Sequence, residues 1–156
     1  MKFKEIASIL SGGGYNLHYI TKGLQGTGWR RAYRISNTSK GAIGYYGEFC
    51  ISGAFNNANN IVIPFTVSLS YENARIKIGQ CAGIKELIDK IRVTKKESTN
   101  EIWIDFHYTS STANVYGFKK MIGFCHAPQV QEAYSTLETI PDQPEGETIL
   151  AEEEIL

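Results

Sequence analysis

Apolar and polar side chains alternate along several stretches of the chain, as they do in strands with one buried face. In the clearest stretch, NIVIPFTVSLSY at residues 60–71, the apolar parity holds Ile61, Ile63, Phe65, Val67, Leu69 and Tyr71. The opposite parity holds Thr66, Ser68 and Ser70. The pattern predicts a strand with a core face and a wetter face. Pro64 has no N–H for a ladder, so we expect the first half of this strand to lie at an edge or a bulge.

A second alternating stretch, EIWIDFHYT at residues 101–109, predicts another strand of the same kind. Its apolar parity holds Ile102, Ile104, Phe106 and Tyr108. Its other parity holds Trp103, Asp105 and His107, which would share one face of a sheet. Together the two stretches supply most of the expected core, which we place at Phe65, Val67, Leu69, Ile91, Val93, Ile102, Ile104 and Phe106.

Shorter strand candidates bring the total to about nine, a number typical of a sandwich of two sheets. They lie at residues 3–10, 15–21, 28–36, 43–52, 74–80, 87–94 and 115–124. A short helix is the alternative near GIKELIDKIRV, residues 83–93, because its apolar residues also match helical spacing.

These elements predict an all-β fold, an antiparallel β-sandwich of jelly-roll type, and 156 residues suit a single domain. We assign residues 1–14 to an N-terminal strand or linker and residues 15–140 to the sandwich. Residues 141–156 contain acidic side chains, two prolines and no basic residue, which favours an extended acidic tail.

Charge and aromatic patterning argue against nucleic-acid binding. The 16 Lys and Arg residues balance 16 Asp and Glu residues, so no global field favours polyanions. In GWRRAYRIS, residues 28–36, strict alternation places Trp29, Arg31 and Tyr33 on one face and Arg30 and Arg34 on the other, so most of the charge lies opposite the aromatic rings. A binder of single strands needs aromatic rings and cations on one accessible surface. We therefore expect no nucleic-acid partner.

Motifs for metals, cofactors and membranes are also missing from the sequence. Cys50, Cys81 and Cys125 lack CxxC spacing, so at least one stays unpaired within the chain, which suits synthesis in a reducing cytoplasm. His18, His107 and His126 form no pattern of metal ligands, and SGGGYN matches no nucleotide loop. We see no signal peptide and no apolar run long enough to span a membrane. The expectation is a soluble chain without metal or cofactor.

The polar face of the 101–109 strand is the first candidate for chemistry. A tryptophan beside a carboxylate and an imidazole can stack on a sugar and bind its hydroxyls, and it can equally lie in an interface or core. Asp105 and His107 with Ser110 or Ser111 have the residue types of a hydrolytic triad. Nothing supplies the nucleophile turn or the oxyanion hole that such a triad needs, so we expect no enzyme.

Four segments together resemble the C-terminal receptor-binding head of bacteriophage and prophage tail fibres from gut bacteria. They read GTGWRRAYRIS, GEFCISGAFNNANNIVIPFTVSLSY, LIDKIRVTKKESTNEIWIDFHYTSSTANVYGF and TLETIP, and they span residues 26–141. The match departs from the family pattern at RRAYRI, where a more compact aromatic-Arg-Ile signature is expected.

The resemblance implies an all-β head in the virion tail, usually a homotrimer. Such a head recognises a host-surface glycan or protein as an adhesin, without catalysis. The alternatives are a structural tail component without a ligand and a glycan hydrolase. Polar and aromatic side chains off the core parity are then the expected glycan contacts: Trp103, Asp105, His107, Tyr45, Tyr46, Asn56, Asn57 and Asn59.

Overall fold

Twelve strands make up the regular structure of the described residues. The computed structural model describes residues 15–20, 26–36, 43–53, 59–70, 73–83, 87–109, 115–124, 130–131 and 138–155. The strands are β1 (Tyr15–Ile20), β2 (Gly28–Ser36), β3 (Ile43–Gly53), β4 (Asn59–Ser70), β5 (Asn73–Ile78), β6 (Ala82–Gly83), β7 (Ile88–Lys96), β8 (Glu101–Tyr108), β9 (Val115–Phe124), β10 (Val130–Gln131), β11 (Thr139–Ile140) and β12 (Glu147–Glu154). No α-helix occurs within these ranges.

The strands form two antiparallel sheets. Sheet A has the order β1-β9-β3-β4-β5, and β6 also pairs with β4. Sheet B has the order β10-β2-β8-β7-β12, and β11 also pairs with β2. All the described pairings are antiparallel, which confirms the all-β, antiparallel fold. The jelly-roll form of the fold stays a prediction.

The inner faces of the two sheets bury one shared core. Phe49 of sheet A stacks on Phe106 of sheet B with ring centroids 4.1 Å apart, and Tyr33 of sheet B lies 5.9 Å from Phe65 of sheet A. Such aromatic pairs add stabilisation beyond the apolar area that they bury. All eight predicted core residues are buried, which confirms the apolar parity of β4, β7 and β8.

Phe65 packs directly over a glycine on the neighbouring strand. Gly47 pairs with Phe65 in the register of β3 and β4. A Cβ built on Gly47 would lie 2.3 Å from Cζ of the Phe65 ring, far inside van der Waals contact. This position therefore needs a glycine for its missing side chain.

Pro64 lies where β4 loses its partner on one side, although β4 is an internal strand and not an edge. Residues 65–70 of β4 pair with β5, and Ile61 and Val62 pair with β6. In the gap between these partners, the N–H of Gly79 donates to the carbonyl of Pro64 over 2.8 Å. A residue without an N–H fits this gap because no ladder bond is lost.

The C-terminal segment corrects the expectation of an extended acidic tail. Residues 147–154 form β12, which pairs with β7 at the edge of sheet B. Ile155 is buried, and its N–H donates to the carbonyl of Asp89 over 2.7 Å. The acidic composition hid this strand because charged side chains are common on exposed edges. The strand candidate at 3–10 lies outside the described residues. Of the segment where a short helix was the alternative, residues 88–93 belong to β7, and residues 84–86 lie outside the described residues.

No helix within the described ranges is long and apolar enough to cross a membrane. The described residues also contain no group of three or more His, Cys, Asp or Glu side chains positioned to hold a metal ion.

Candidate functional site

A row of three charged side chains crosses the outer face of sheet B. Asp105 of β8 pairs in register with Arg31 of β2 on one side and with Arg92 of β7 on the other. Nε of Arg31 donates to Oδ1 of Asp105 over 3.0 Å, and Nε of Arg92 donates to Oδ2 over 3.1 Å. Residues directly opposite each other on antiparallel strands share a face, so the register alone brings the three charges together.

Glu147 of β12 adds a second carboxylate to this row. Arg31 donates to Glu147 through Nη1 over 2.8 Å and through Nη2 over 2.6 Å, which makes a bidentate pair. The hydroxyl of Thr94 donates to Oε2 of Glu147 over 2.8 Å. We call Arg31, Arg92, Asp105, Glu147 and Thr94 the ion network. Its two positive and two negative charges cancel.

The segment between β11 and β12 closes over the ion network. Arg92 donates to the carbonyls of Pro141 over 3.1 Å and of Asp142 over 2.7 Å. Its guanidinium also lies 4.0 Å from the ring centroid of Trp29, a cation-π contact. Arg92 and Asp105 are both fully buried as a result. This outer face, which alternation predicted to be wet, is therefore a second buried layer.

A bulge in β2 explains why the interpretation of GWRRAYRIS was wrong. The register with β8 shifts between Arg31 and Tyr33, so Ala32 has no counterpart on β8. Trp29, Arg31 and Arg34 pair with the outward residues of β8, whereas Tyr33 pairs with Ile104 of the core. One extra residue reverses the parity of everything after it. Cations and tryptophans thus share a face, but Trp29 and Arg31 are buried there and not available to a nucleic acid.

Burial and charge act in opposite directions on the two carboxylates. Burial raises the pKa of Asp105, and the guanidiniums of Arg31 and Arg92 oppose that shift. Burial also opposes the charged form of Glu147, but hydrogen bonds from Arg31 and Thr94 outweigh it and lower the pKa of Glu147. Such a network holds its charge only while every partner is in place.

His107 belongs to a different contact from Asp105. Its Nδ1 lies 2.7 Å from Oδ1 of Asp89, and its ring meets Trp29 edge to face at 5.1 Å. Asp105 has its hydrogen bonds with arginines instead. The two residue types that suggested a hydrolytic pair therefore share a face, as predicted, without forming such a pair.

Trp103 is 5 % exposed and lies beneath two guanidiniums. Cζ of Arg31 is 4.4 Å from its ring centroid and Cζ of Arg34 is 5.5 Å away. Arg34 forms a salt bridge with Glu101 on the same face. Trp103 and Asp105 are thus predicted glycan contacts that the single chain keeps away from solvent. The core and interface alternative fits their burial.

The candidates on β3 separate by parity. Tyr45 is 1 % exposed and packs in the core, so it too is withdrawn from solvent. Tyr46 is half-buried on the outer face of sheet A, where its hydroxyl donates to Oε1 of Glu48 over 2.7 Å. Asn56 and Asn57 lie outside the described residues. Asn59 is described through its backbone, which pairs with Gly53.

The outer face of sheet A is exposed and polar along β4 and β5, within the residues whose side chains are described. Tyr46 of β3, Thr66 of β4 and Lys77 of β5 form one row across three strands. Gly44, Ser68 and Arg75 form the next row. Thr66, Ser68, Arg75 and Lys77 are exposed. We call Tyr46, Glu48, Thr66, Ser68, Arg75 and Lys77 the sheet A face.

Sequence reasoning found only part of these two surfaces. It named Tyr46 but missed Thr66, Ser68, Arg75 and Lys77, although alternation in β4 already placed the hydroxyls on the wetter parity. It also missed Arg92, Glu147 and Asp89, the partners of its own candidates. Arg92 and Asp89 lie on β7, 13 and 18 residues before Asp105 and His107, whereas Glu147 lies 116 residues after Arg31. The register that joins these residues cannot be read from the alternation within one strand.

Comparison with known proteins gives similarity of fold. No family model matches the sequence, and no curated protein matches it. One similar structure is WceF of Pantoea stewartii, described as a glycan biofilm modifying enzyme with a bacteriophage tailspike-like parallel β-helix fold. It has a TM-score of 0.51 and 10% identity over 85% of this chain and 21% of that chain. The described sheets are antiparallel, so they do not form the parallel β-helix named for that enzyme.

Two tailspike proteins have lower TM-scores. The tailspike of Acinetobacter phage vB_ApiP_P1 has a TM-score of 0.45 and 14% identity, over 76% of this chain and 22% of that chain. The tailspike of Acinetobacter baumannii phage AM24 has a TM-score of 0.42 and 8% identity, over 78% of this chain and 27% of that chain. The chain thus spans between a fifth and a little over a quarter of these structures.

Proposed function

We propose that the chain is a domain of a phage tail protein, a β-sandwich head that binds a host-surface glycan without cleaving it. The sequence resemblance to tail-fibre heads supports this role. The fold similarity to a tailspike-like, glycan-modifying enzyme agrees with it. Because the similar structures are much longer than this chain, the activities of those whole proteins do not transfer to it.

The observation that carries the proposal is the contrast between the two outer faces. The outer face of sheet B is closed by the segment from β11 to β12, whereas the sheet A face is open. The open face combines the ring of Tyr46 with hydroxyls at Thr66 and Ser68. Sugars favour such a mixture, because an aromatic ring covers their C–H groups while polar groups bind their hydroxyls.

Binding without cleavage is supported by the state of the candidate acid. A glycan hydrolase needs carboxyl groups that flank an accessible bond. Asp105 is fully buried and bonded to two arginines, so no substrate reaches it in this arrangement. His107 is bonded to Asp89 instead.

A homotrimer remains part of the proposal because the resemblance implies it. Trp29 and Trp103, large aromatic residues that a subunit contact could otherwise cover, are already buried within one chain. Within the described residues, Val62 is the one large apolar side chain that counts as exposed. A trimer contact through these residues would therefore be mainly polar, and light scattering at micromolar concentration tests its existence.

The proposal is tested by incubating the protein with purified surface polysaccharides from a panel of gut bacteria. We expect retention of at least one polysaccharide and no new reducing ends. Tyr46→Ala should remove retention and Val62→Ala, the matched control on the same sheet, should keep it. Release of reducing ends identifies a hydrolase and overturns the proposal. Neither retention nor release identifies a purely structural tail component.

A further inference from the structure

We propose that the sheet A face is specific for an acidic glycan, one that carries carboxylate groups. This inference rests on the proposed function and names its ligand class. It is carried by Arg75 and Lys77, two exposed cations of β5 that form no salt bridge with a described residue and lie in register with the hydroxyls of β4.

Most described cations already have an anionic partner. Arg31, Arg34, Lys90, Arg92 and Lys95 each form a salt bridge with a carboxylate. Arg75 and Lys77 are exposed, and within the described part of the chain neither forms a salt bridge, a property shared by the exposed Lys96 of β7. Lys77 lines a cavity with Glu153 and Glu154 of β12, but neither carboxylate forms a salt bridge with it, so both cations of β5 can bind an anionic ligand.

The register places these cations beside the groups that would bind the rest of a sugar. Lys77 lies across β4 from Tyr46, with Thr66 between them. Arg75 lies across β4 from Gly44, with Ser68 between them. Neighbouring strands are about 4.8 Å apart, so the surface is about 10 Å wide from β3 to β5. Its two rows are about 7 Å apart, the spacing of alternate residues along a strand.

Among the described side chains of β3, β4 and β5 on this face, the one acid lies on the opposite side from the cations. Glu48 is on β3, and the hydroxyl of Tyr46 donates to it. This hydrogen bond raises the pKa of Tyr46, so the phenol stays neutral and its ring is held beside the hydroxyls. A saccharide lying across the strands would thus meet the aromatic ring at β3 and the cations at β5.

The arrangement fits a carboxylate on a sugar better than a nucleic acid. A guanidinium binds a carboxylate through two parallel N–H donors, and a neighbouring ammonium adds a point charge. Binding of a nucleic-acid single strand depends on several stacked bases along a groove of cations. The described side chains of β3, β4 and β5 on this face include one aromatic ring and two cations.

The experiment compares binding to acidic and neutral saccharides on one array, with polygalacturonate and sialylated oligosaccharides against dextran and neutral glucans. The protein should bind saccharides that carry a carboxylate. Chemical reduction of the carboxyl groups of a bound polysaccharide should abolish the signal, because the sugar chain is kept while its charge is lost. Raising the ionic strength from about 0.1 M to about 1 M should also weaken binding, since the Debye length falls from about 10 Å to about 3 Å.

The double variant Arg75→Gln/Lys77→Gln should weaken binding about tenfold or more, as expected when two exposed charge contacts are lost. The control Lys90→Gln/Lys96→Gln removes the same formal charge from sheet B and should change binding less than about twofold. Both variants alter exposed or half-exposed positions, so their melting temperatures should stay close to that of the parent protein.

Four outcomes overturn the inference. Binding of neutral saccharides that survives Arg75→Gln/Lys77→Gln contradicts the acidic ligand and leaves the proposed function standing. Equal losses in the two double variants would show a response to net charge and not to this face. Tighter binding of a single-stranded oligonucleotide than of any acidic saccharide assigns the face to another ligand class. Retention of no saccharide at all removes the proposed function and this inference together.

Discussion

Asp105→Asn is the sharpest test of the buried charge on sheet B. The amide has the size of the carboxylate, so packing is kept and the charge of the ion network changes from zero to one positive. Asp105 accepts from Nε of Arg31 over 3.0 Å and from Nε of Arg92 over 3.1 Å. An asparagine keeps one acceptor, and its NH₂ group meets a guanidinium donor in place of the second.

The magnitude follows from the burial of every partner. Arg92 and Asp105 have no exposed surface, so water does not replace the lost carboxylate. Breaking a buried ion pair by removing one partner costs about 3 to 5 kcal/mol, because the remaining charge is left uncompensated. For a domain of this size that corresponds to a fall in melting temperature of roughly 6 to 20 °C. Folding free energies are about 5 to 15 kcal/mol, so a large share of the stability is lost.

Urea unfolding followed by tryptophan fluorescence and by far-ultraviolet circular dichroism measures the change. The matched control is Glu152→Gln, which removes a carboxylate from the half-exposed Lys90–Glu152 pair, 3.1 Å long and 35% exposed on both side chains. Exposed pairs contribute about 1 kcal/mol or less, so the control should lose no more than that. If Asp105→Asn loses less than about 1 kcal/mol, the network does not hold the charge described here and the argument from burial is refuted.

Three further predictions concern Gly47, Trp103 and Glu147. Gly47→Ala places a methyl 2.3 Å from the Phe65 ring and should lower the free energy of unfolding in urea by about 1 to 3 kcal/mol. The control Ser68→Ala, at an exposed position, should change it by no more than about 0.5 kcal/mol, and equal losses in the two variants would contradict the close packing. Trp103→Ala should cost about 3 to 5 kcal/mol because the ring is buried; an unchanged melting temperature would contradict that burial. The pKa of Glu147 is lowered in the folded protein, so its carboxylate stabilises the fold above its unfolded pKa of about 4.3, and this stabilisation is lost as the pH falls through the folded pKa. The free energies of unfolding of the parent and of Glu147→Gln should therefore differ at pH 7 and converge in acid. A difference that stays constant with pH would contradict the lowered pKa.

Alternation predicted the inner faces well because burial against the opposite sheet requires it. The core positions of β4, β7 and β8 follow directly from a period of two. The same rule failed in β2, where one extra residue at Ala32 moved Arg31 and Arg34 onto the same face. No glycine or proline marks that bulge, so the sequence contains no local sign of it.

The rule also failed where a polar parity is buried by a third layer. Trp103, Asp105 and His107 share a face as predicted, and an antiparallel sheet commonly leaves such a face to solvent. Here the chain between β11 and β12 returns across it, which depends on Arg92 and on the carbonyls of Pro141 and Asp142. Contacts of this kind join residues about fifty positions apart, and composition alone does not show them.

The return of the C-terminal segment sets an order on folding during synthesis. The guanidinium of Arg31 has its carboxylate partners 74 and 116 residues further along the chain. Until β8 and β12 have emerged from the ribosome, burial of the Arg31 guanidinium of β2 is unfavourable because its carboxylate partners are missing. Sheet B therefore closes late, and pairings across such long separations fold slowly.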